Sequence, residues 1–365
     1  MLVMVKSFII KSLLNIKDIA YYYKLKFQYR NEINKKIKNK PKKLNKQQIT
    51  KIKRFYSKSG YNNVSTSWHD FYYSSNNVFS VEYVPEDIFH ATISKKLNQM
   101  RQWPSLLDKN LLGLMFKDYH QPEVVLRNMN GFYFIEGEIV SESIAFESIF
   151  SETRQMVIKP SIDSGCGHGI VLFSTNDGFT NYNGLSVKDL LCNYGKDFIV
   201  QVVVNQNEAL KSLNPSSLNT LRVLSYLNKN GVYVLSTIVR VGKKGSFTDN
   251  CATGGIACGV DEYGKLKKYG YLNDGTERSK TDIGTLLEGL KVPSYNKVID
   301  KVKKMHLLIP YFRIVSWDIG VDSTGIPILI EYNTYHQDIT IHQLANGPLF
   351  GAFTDEILNI GSKQY

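Results

Sequence analysis

The chain has 365 residues, with 45 Lys and Arg against 33 Asp and Glu, a formal net charge of +12. Its length suits about two domains, and a hydrophobic content of 43% with 12% aromatics excludes an intrinsically disordered chain. The charge is confined: residues 1–60 hold 17 of the basic side chains and two acidic ones, Asp18 and Glu32, a net +15, and the remainder is net −3, which excludes a nucleic-acid-binding body with a broad basic face.

The pattern starts with a helix predicted over 2–37. Leu2, Val5, Ile9, Leu13, Ile16, Ala20, Tyr23 and Phe27 recur at spacings of three and four, with lysines between them. Such a helix suits anionic lipid, or packing on the body with its lysines solvated. Residues 1–14 are apolar but broken by Lys6 and Lys11 and lack a small-residue cleavage site, so they are not read as a secretory signal. No run of 18 apolar residues predicts a membrane-spanning helix. After a polar break at 41–45, a second helix is expected over 47–58. An aromatic cluster follows at Trp68, His69, Phe71, Tyr72 and Tyr73, then Tyr83-Val84-Pro85, and a helical region over 108–119 that Pro122 ends.

From residue 124 the period shortens. Strands are expected at 124–126, 132–135, 156–158, 170–173, 198–203, 221–226, 233–241, 314–319 and 326–332, with helices at 186–193, 281–290 and 295–307. Hairpins mixed with helices predict an α+β class rather than a doubly wound sheet. The four cysteines, Cys166, Cys192, Cys251 and Cys258, form no CxxC pair and no zinc spacing. They read as thiols of a reducing compartment, which predicts a cytoplasmic location.

Three constellations carry chemistry. In the first, Lys159 leaves a strand that enters the loop Asp163-Ser164-Gly165-Cys166-Gly167-His168-Gly169, and a second strand follows. Alternate glycines let backbone N–H groups converge on phosphate oxygens. The loop leads into a strand, not a helix, so it is a flap and not a Rossmann turn, and no Gly-Lys-Ser/Thr makes it a P-loop. In the second, Asp318 and the Glu331-x-Asn333 pair lie on two strands joined by a tight turn at 322–325. Glu331 and Asn333 share a face. Two carboxylates and an amide oxygen are hard ligands suited to Mg²⁺. In the third, Asn219-Thr220-Leu221-Arg222 opens a strand, with Arg240, Asp249-Asn250 and Gly254-Gly255 downstream. Arginine offers a bidentate fork to carboxylate or phosphate.

Lysine, glycine-loop flap, hinge strand, arginines, then Asp and Glu-x-Asn is an order that resembles the ATP-grasp superfamily. More narrowly, from about residue 44 to 350, the chain is similar to the sugar-transfer-associated ATP-grasp family of bacterial polysaccharide genes. The narrower likeness rests on Trp68-His69-x-Phe71-Tyr72, Tyr83-x-Pro85, Asp108-Lys109-Asn110, Lys159-Pro160, Asn214-Pro215-x-Ser217-Leu218-Asn219-Thr220-x-Arg222 and Glu331-x-Asn333.

The resemblance implies an ATP-grasp fold in which two α+β subdomains clasp ATP, behind an N-terminal helical extension. It divides the chain into a basic arm (1–60), a region packing on the core (61–150), a lid subdomain with the glycine loop (151–205) and a C-terminal subdomain with the Mg²⁺ and phosphate site (206–365). Lys109 and Lys159 would contact ATP phosphates, and Gly165, Gly167 and Gly169 would cover them. Gln201, Val202, Val203 and Val204 would form the hinge at the adenine edge, with Glu208 as the ribose candidate. Arg222 and Arg240 would be catalytic, holding the γ-phosphate or a substrate carboxylate. Asp318, Glu331 and Asn333 would hold Mg²⁺. Asn219, Thr220, Asp249, Asn250 and His336 are candidates for the substrate side. Among the histidines, His336 and His342 follow Asn333 most closely.

The implied activity is a carboxylate–amine ligase with an acyl-phosphate intermediate. It would join an amine or amino acid to a small-molecule or sugar-nucleotide substrate, such as a uronic acid or amino sugar, in making a surface polysaccharide. A kinase acting on a sugar hydroxyl, and a non-catalytic nucleotide-binding partner of a glycosyltransferase, are the alternatives. Residues 1–40 are expected to make peripheral contact with an anionic membrane, at its inner face, or with a glycosyltransferase. No nucleic acid is expected as a partner.

Overall fold

The structure is a computed structural model that describes residues 2–38, 40, 43–162 and 167–362, with side chains from Ile19 onward. Helix α1 (Leu2–Ile37) agrees with the spacing of its apolar residues, and from residue 19 on it buries Leu25, Tyr29 and Ile33 against the body. Helix α2 (Lys46–Lys58) starts at a capping box. The Asn45 side chain accepts from the Gln48 backbone, and the Gln48 side chain accepts from the Asn45 backbone. Helix α3 (Ser67–Asn76) buries Trp68, His69, Phe71 and Tyr72, so the aromatic cluster of the sequence is core. A helical stretch over 86–97 follows, with a π-turn at Phe89–Ile93.

Two antiparallel sheets make the body. The first has six strands, β1 (Val124–Met129), β2 (Phe132–Ile135), β3 (Glu138–Val140), β4 (Met156–Pro160), β5 (Val171–Phe173) and β8 (Phe198–Val202), in the order β3-β2-β1-β8-β4-β5. It draws strands from both sides of the division expected at residue 150, since Arg127 pairs with Ile199 and Lys159 pairs with the same residue from the other side. A small ribbon, β6 (Thr175–Asn176) and β7 (Phe179–Thr180), sits apart. Helices Glu142–Phe150 and Val187–Tyr194, capped by Ser141 and Ser186, share a core with Leu126, Met156, Ile158, Phe173 and Phe198. Ile158 belongs to that core, so strand alternation turns its neighbour Lys159 to the opposite face.

The second sheet has seven strands, β9 (Leu221–Asn228), β10 (Gly231–Val241), β11 (Ile256–Val260), β12 (Leu266–Tyr271), β13 (Glu277–Arg278), β14 (Ile314–Val321) and β15 (Pro327–Asn333), in the order β13-β12-β11-β10-β9-β14-β15. One face joins Leu221, Val223, Val239, Trp317 and Ile319 to Val298, Val302 and Met305 of helix Tyr295–His306. The other face puts Leu224, Tyr226 and Ile314 in the core of α2 and the 86–97 segment, and Ile238 in the core of α1 and α3. The N-terminal helices therefore cover the face opposite helix Tyr295–His306.

Two predicted helices do not form as expected. The region 108–119 yields only a 3₁₀ turn, Lys109–Leu111, and one α-turn, Leu112–Met115. The 281–290 stretch is irregular, because Gly284 and Gly289 take φ of +94° and +78°. Left-handed backbone at two points in ten residues cannot continue a right-handed helix.

Candidate active site

β9, β10 and β14 place three charged side chains on the face opposite helix Tyr295–His306. Asp318 and Arg222 are direct partners in the β9–β14 register. The Arg222 guanidinium donates from Nε and Nη2 to the two Asp318 carboxylate oxygens, both at 2.8 Å. Arg240 Nη2 lies 3.1 Å from Asp318 Oδ2 and 3.2 Å from Asp249 Oδ1. It also donates to Thr220 Oγ1 at 2.8 Å. Thr220 donates to Asp249 from its amide at 3.1 Å and again from its hydroxyl. Burial by itself raises the Asp318 carboxyl, but Arg222 and Arg240 outweigh it and hold the group at about 2. Asp249 goes the other way: burial pushes it up, and Arg240 only partly offsets this.

The sequence expectation of Asn219 as a substrate residue meets a different environment. Its carboxamide donates to the Leu210 and Asn214 carbonyls at 2.9 and 2.8 Å and accepts from Ser217 at 2.8 Å. It is a buried strut that fixes the loop entering β9. Asn250 accepts from the Ala252 amide and caps the turn Cys251–Thr253. Glu208 opens the short helix Glu208–Lys211, is exposed, and pairs with Lys211 at 3.3 Å. His336 is drawn to α1: its Nδ1 lies 3.3 Å from the Tyr29 hydroxyl, and its ring packs on Tyr335 and His90. Burial, then His90, pushes it down to about 4.

The second cluster is looser. Glu331 is the register partner of Asp318 on β15. Lys109 Nζ stands 3.7 Å from Glu331 Oε2. The backbone N–H of Lys109 donates to the Ser161 carbonyl at 2.9 Å, which ties its turn to the end of β4, two residues past Lys159. Lys159 is buried, and burial drives its ammonium down to about 8; Glu331 opposes this shift and Lys109 adds to it. Asn333 Nδ2 and Gln201 Oε1 are buried polar atoms without a hydrogen-bond partner. Such atoms cost about 1–3 kcal/mol each in an isolated protein, and a ligand can complete them.

Gly167 and Gly169 take φ of +77° and +68°, so the loop between β4 and β5 turns where only glycine is unstrained. A Cβ on Gly167 would touch Thr248, the neighbour of Asp249, at 3.3 Å. Gly167 therefore lies against the segment that carries Asp249. Gly165 lies outside the described residues. Gln201 and Val202 end β8, and Val203 donates to the Gln155 carbonyl at 2.9 Å. The chain then passes through Val204 to the second sheet, where Gln206 bridges to Asp322 and Asn207 donates to Val321.

One residue beyond the main sequence candidates belongs to this site. His342 is fully buried, with Nδ1 2.8 Å from Ser236 Oγ and Nε2 without a partner. Burial, then Arg222 and Arg240, push it down to about 3, so it is a neutral imidazole beside the arginine cluster. Its closeness to Asn333 in sequence was the only signal for it.

In total four cations (Lys109, Lys159, Arg222 and Arg240) meet three carboxylates (Asp249, Asp318 and Glu331). That excess suits an anionic ligand. Glu331 and Asn333 lie two residues apart on β15, opposite Asp318 and Ser316 respectively, and their side-chain oxygens are of the hard type that Mg²⁺ takes; the unmatched Asn333 Nδ2 is an N–H donor and calls for an anionic or carbonyl partner instead. Asp318 already accepts from two guanidiniums, so only its remaining lone pairs could join.

Two antiparallel sheets, with Lys159 and the glycine loop on the first and Arg222, Arg240, Asp318 and Glu331 on the second, make an ATP-grasp fold. A family model described as sugar-transfer associated ATP-grasp matches residues 89–357, and the chain belongs to that family. Among solved structures, the chain is similar to D-alanyl-alanine synthetase A from Vibrio cholerae (14% identity, 70% of this chain and 65% of that one, TM-score 0.44). It is also similar to the ATP-grasp ligase PsnB complexed with minimal precursor (13%, 72% and 64%, TM-score 0.39). A third is an L-amino acid ligase from Bacillus licheniformis (10%, 70% and 48%, TM-score 0.41). The chain spans a little under two thirds of the length of the first two. No curated protein matches it. Among the described residues, no helix is long and apolar enough to cross a membrane.

Proposed function

We propose that the protein is an ATP-dependent carboxylate–amine ligase acting on a sugar-derived substrate of surface polysaccharide synthesis. The observation that carries this reading is the cluster of four cations and three carboxylates, with Gly167 against the segment that carries Asp249, in a chain of the sugar-transfer associated ATP-grasp family. In this reading Lys109 and Lys159 hold phosphate oxygens of ATP. The backbone of Gln201, Val202, Val203 and Val204 meets the adenine, and Gly165, Gly167 and Gly169 close over the phosphates. Arg222 and Arg240, kept in place by Asp318 and Asp249, neutralise charge where the substrate carboxylate meets the γ-phosphorus.

The carboxylate oxygen bonds to that phosphorus and ADP leaves. The amine nitrogen then bonds to the acyl carbon and phosphate leaves with the carboxylate's oxygen. The ammonium gives up two protons, one to phosphate and one to solvent. No side-chain nucleophile is needed, since positioning and charge neutralisation supply the rate. Glu331 and Asn333, with the free lone pairs of Asp318, would hold Mg²⁺, which when bound neutralises phosphate charge. Asn219 acts on the substrate side only by setting the loop that carries Thr220.

The test is ADP release with uronic acids and sugar nucleotides against a panel of amines, with products weighed by mass spectrometry. An amide-linked product is expected. A stable phosphorylated sugar would make the protein a kinase, and no turnover with any pair would favour a non-catalytic nucleotide-binding role. Glu331→Ala should stay folded and lose ADP release by about a hundredfold; an active variant would remove Glu331 from the metal site.

A further inference from the structure

The basic N-terminal helix plays no part in the site, and its two sides differ. Leu25, Tyr29 and Ile33 are buried on the body. On the other side Ile19, Tyr23 and Phe27 stand 57%, 65% and 70% exposed, one turn apart. An aligned apolar stripe on a helix that already has a buried face is surplus to folding. In the sequence the same spacing continues upstream through Ile16, Leu13, Ile9, Val5 and Leu2. The helix runs 36 residues, about 54 Å at the usual rise.

Charge says what covers the stripe. Lys24, Arg30 and Lys35 are exposed on the same helix, and residues 1–60 are net +15. Beyond Phe27 the exposed positions turn polar. There a cleft of about 420 Å³ opens between α1 and α2, lined by Arg30, Lys53, Asn34, Asn62, Asn63 and Ser65. Arg30 Nε stands 3.7 Å from the buried Asp87 carboxylate; its other N–H groups and Lys53, among amide and hydroxyl donors, suit a phosphate-bearing headgroup. An apolar stripe flanked by lysines is the arrangement of a helix lying in a membrane interface.

We propose that α1 docks the enzyme on an anionic phospholipid bilayer, with Ile19, Tyr23 and Phe27 in the acyl boundary and the Arg30–Lys53 cleft taking a lipid phosphate. This rests on α1, α2 and the 62–65 loop and stands whatever reaction the site performs.

Full-length protein is sedimented with vesicles of phosphatidylcholine, with and without phosphatidylglycerol. Binding is expected only to the anionic vesicles. It should fall at least tenfold when salt rises from about 0.1 M to about 1 M, as the Debye length drops from about 10 Å to about 3 Å. The triple variant Ile19→Glu, Tyr23→Glu, Phe27→Glu should lose at least tenfold in binding with ADP release in solution unchanged. A second probe, Phe27→Trp, should shift its emission to the blue on anionic vesicles. Equal binding by the triple variant, equal binding to neutral vesicles, or no emission shift would each overturn the proposal. So would a lipid-free dimer that the triple variant abolishes, since the stripe would then seat a second copy.

Discussion

The two halves of the charged cluster are built differently. In the arginine half, Asp318 meets Arg222 twice at 2.8 Å and Arg240 at 3.1 Å, and Arg240 reaches Asp249 at 3.2 Å. In the lysine half, Lys109 and Glu331 stand 3.7 Å apart, Lys159 is buried at a cost to its charge, and Asn333 keeps an unmatched buried amide N–H. The first half has its charges paired within the protein and serves as preorganised scaffold. The second is more loosely paired, and its buried ammonium and unmatched N–H donor suit an anionic ligand. Preorganisation of this kind lowers the barrier without rearrangement during reaction.

This contrast can be broken by substitution. Asp318→Asn leaves two buried guanidiniums without their shared carboxylate. It should lower unfolding free energy by about 3–5 kcal/mol in urea denaturation. A loss under about 1 kcal/mol would mean that the arginine half is not scaffold.

Lys159→Met should do the reverse, raising stability while weakening ATP binding. The folded ammonium titrates at about 8 against 10.5 for an ordinary lysine. Between these values the unfolded chain binds more protons, so stability rises with pH across that window. Below about 8 the burial penalty is fully present, and above 10.5 it is gone. The stability gain of Lys159→Met should therefore be roughly 3 kcal/mol at neutral pH and vanish by about pH 10.5. A variant less stable than wild type at neutral pH would place Lys159 in the scaffold.

Gly169→Ala forces an alanine to φ +68° with its Cβ 3.0 Å from Pro160 Cγ. Thermal unfolding should show a loss of about 1–2 kcal/mol, with a raised KM for ATP if the loop closes on phosphates. Smallest is Tyr29→Phe, which removes the hydroxyl 3.3 Å from His336. It should cost about 1 kcal/mol and leave ADP release unchanged, because His336 serves the α1 interface. A fall in ADP release would return His336 to the substrate side.

Much of the site was legible in the sequence, since its parts are short. Lys159 before a glycine loop, Asn-Thr-x-Arg and Glu-x-Asn each carry their meaning within a few residues, and strand alternation already placed Glu331 and Asn333 together. A short polar motif does not disclose where its hydrogen bonds go: those of Asn219, expected on the substrate side, run inward to Leu210 and Asn214, on a loop whose shape depends on packing. The irregular 281–290 segment escaped for a related reason. Its apolar spacing is helical, and only the backbone angles at Gly284 and Gly289 reveal the turns.

By itself the sequence determined the α+β class, the family and the kinds of charge available, because those depend on residue type and local spacing. Only the tertiary structure decided which charges neutralise one another. Arg222 and Asp318 lie 96 residues apart and meet because β9 and β14 are neighbours in the second sheet. Lys109 and Glu331 approach because a turn before the first sheet ties to β4, opposite the second. Once buried, a pair's distance and solvation set its strength, and neither quantity can be read from order along the chain.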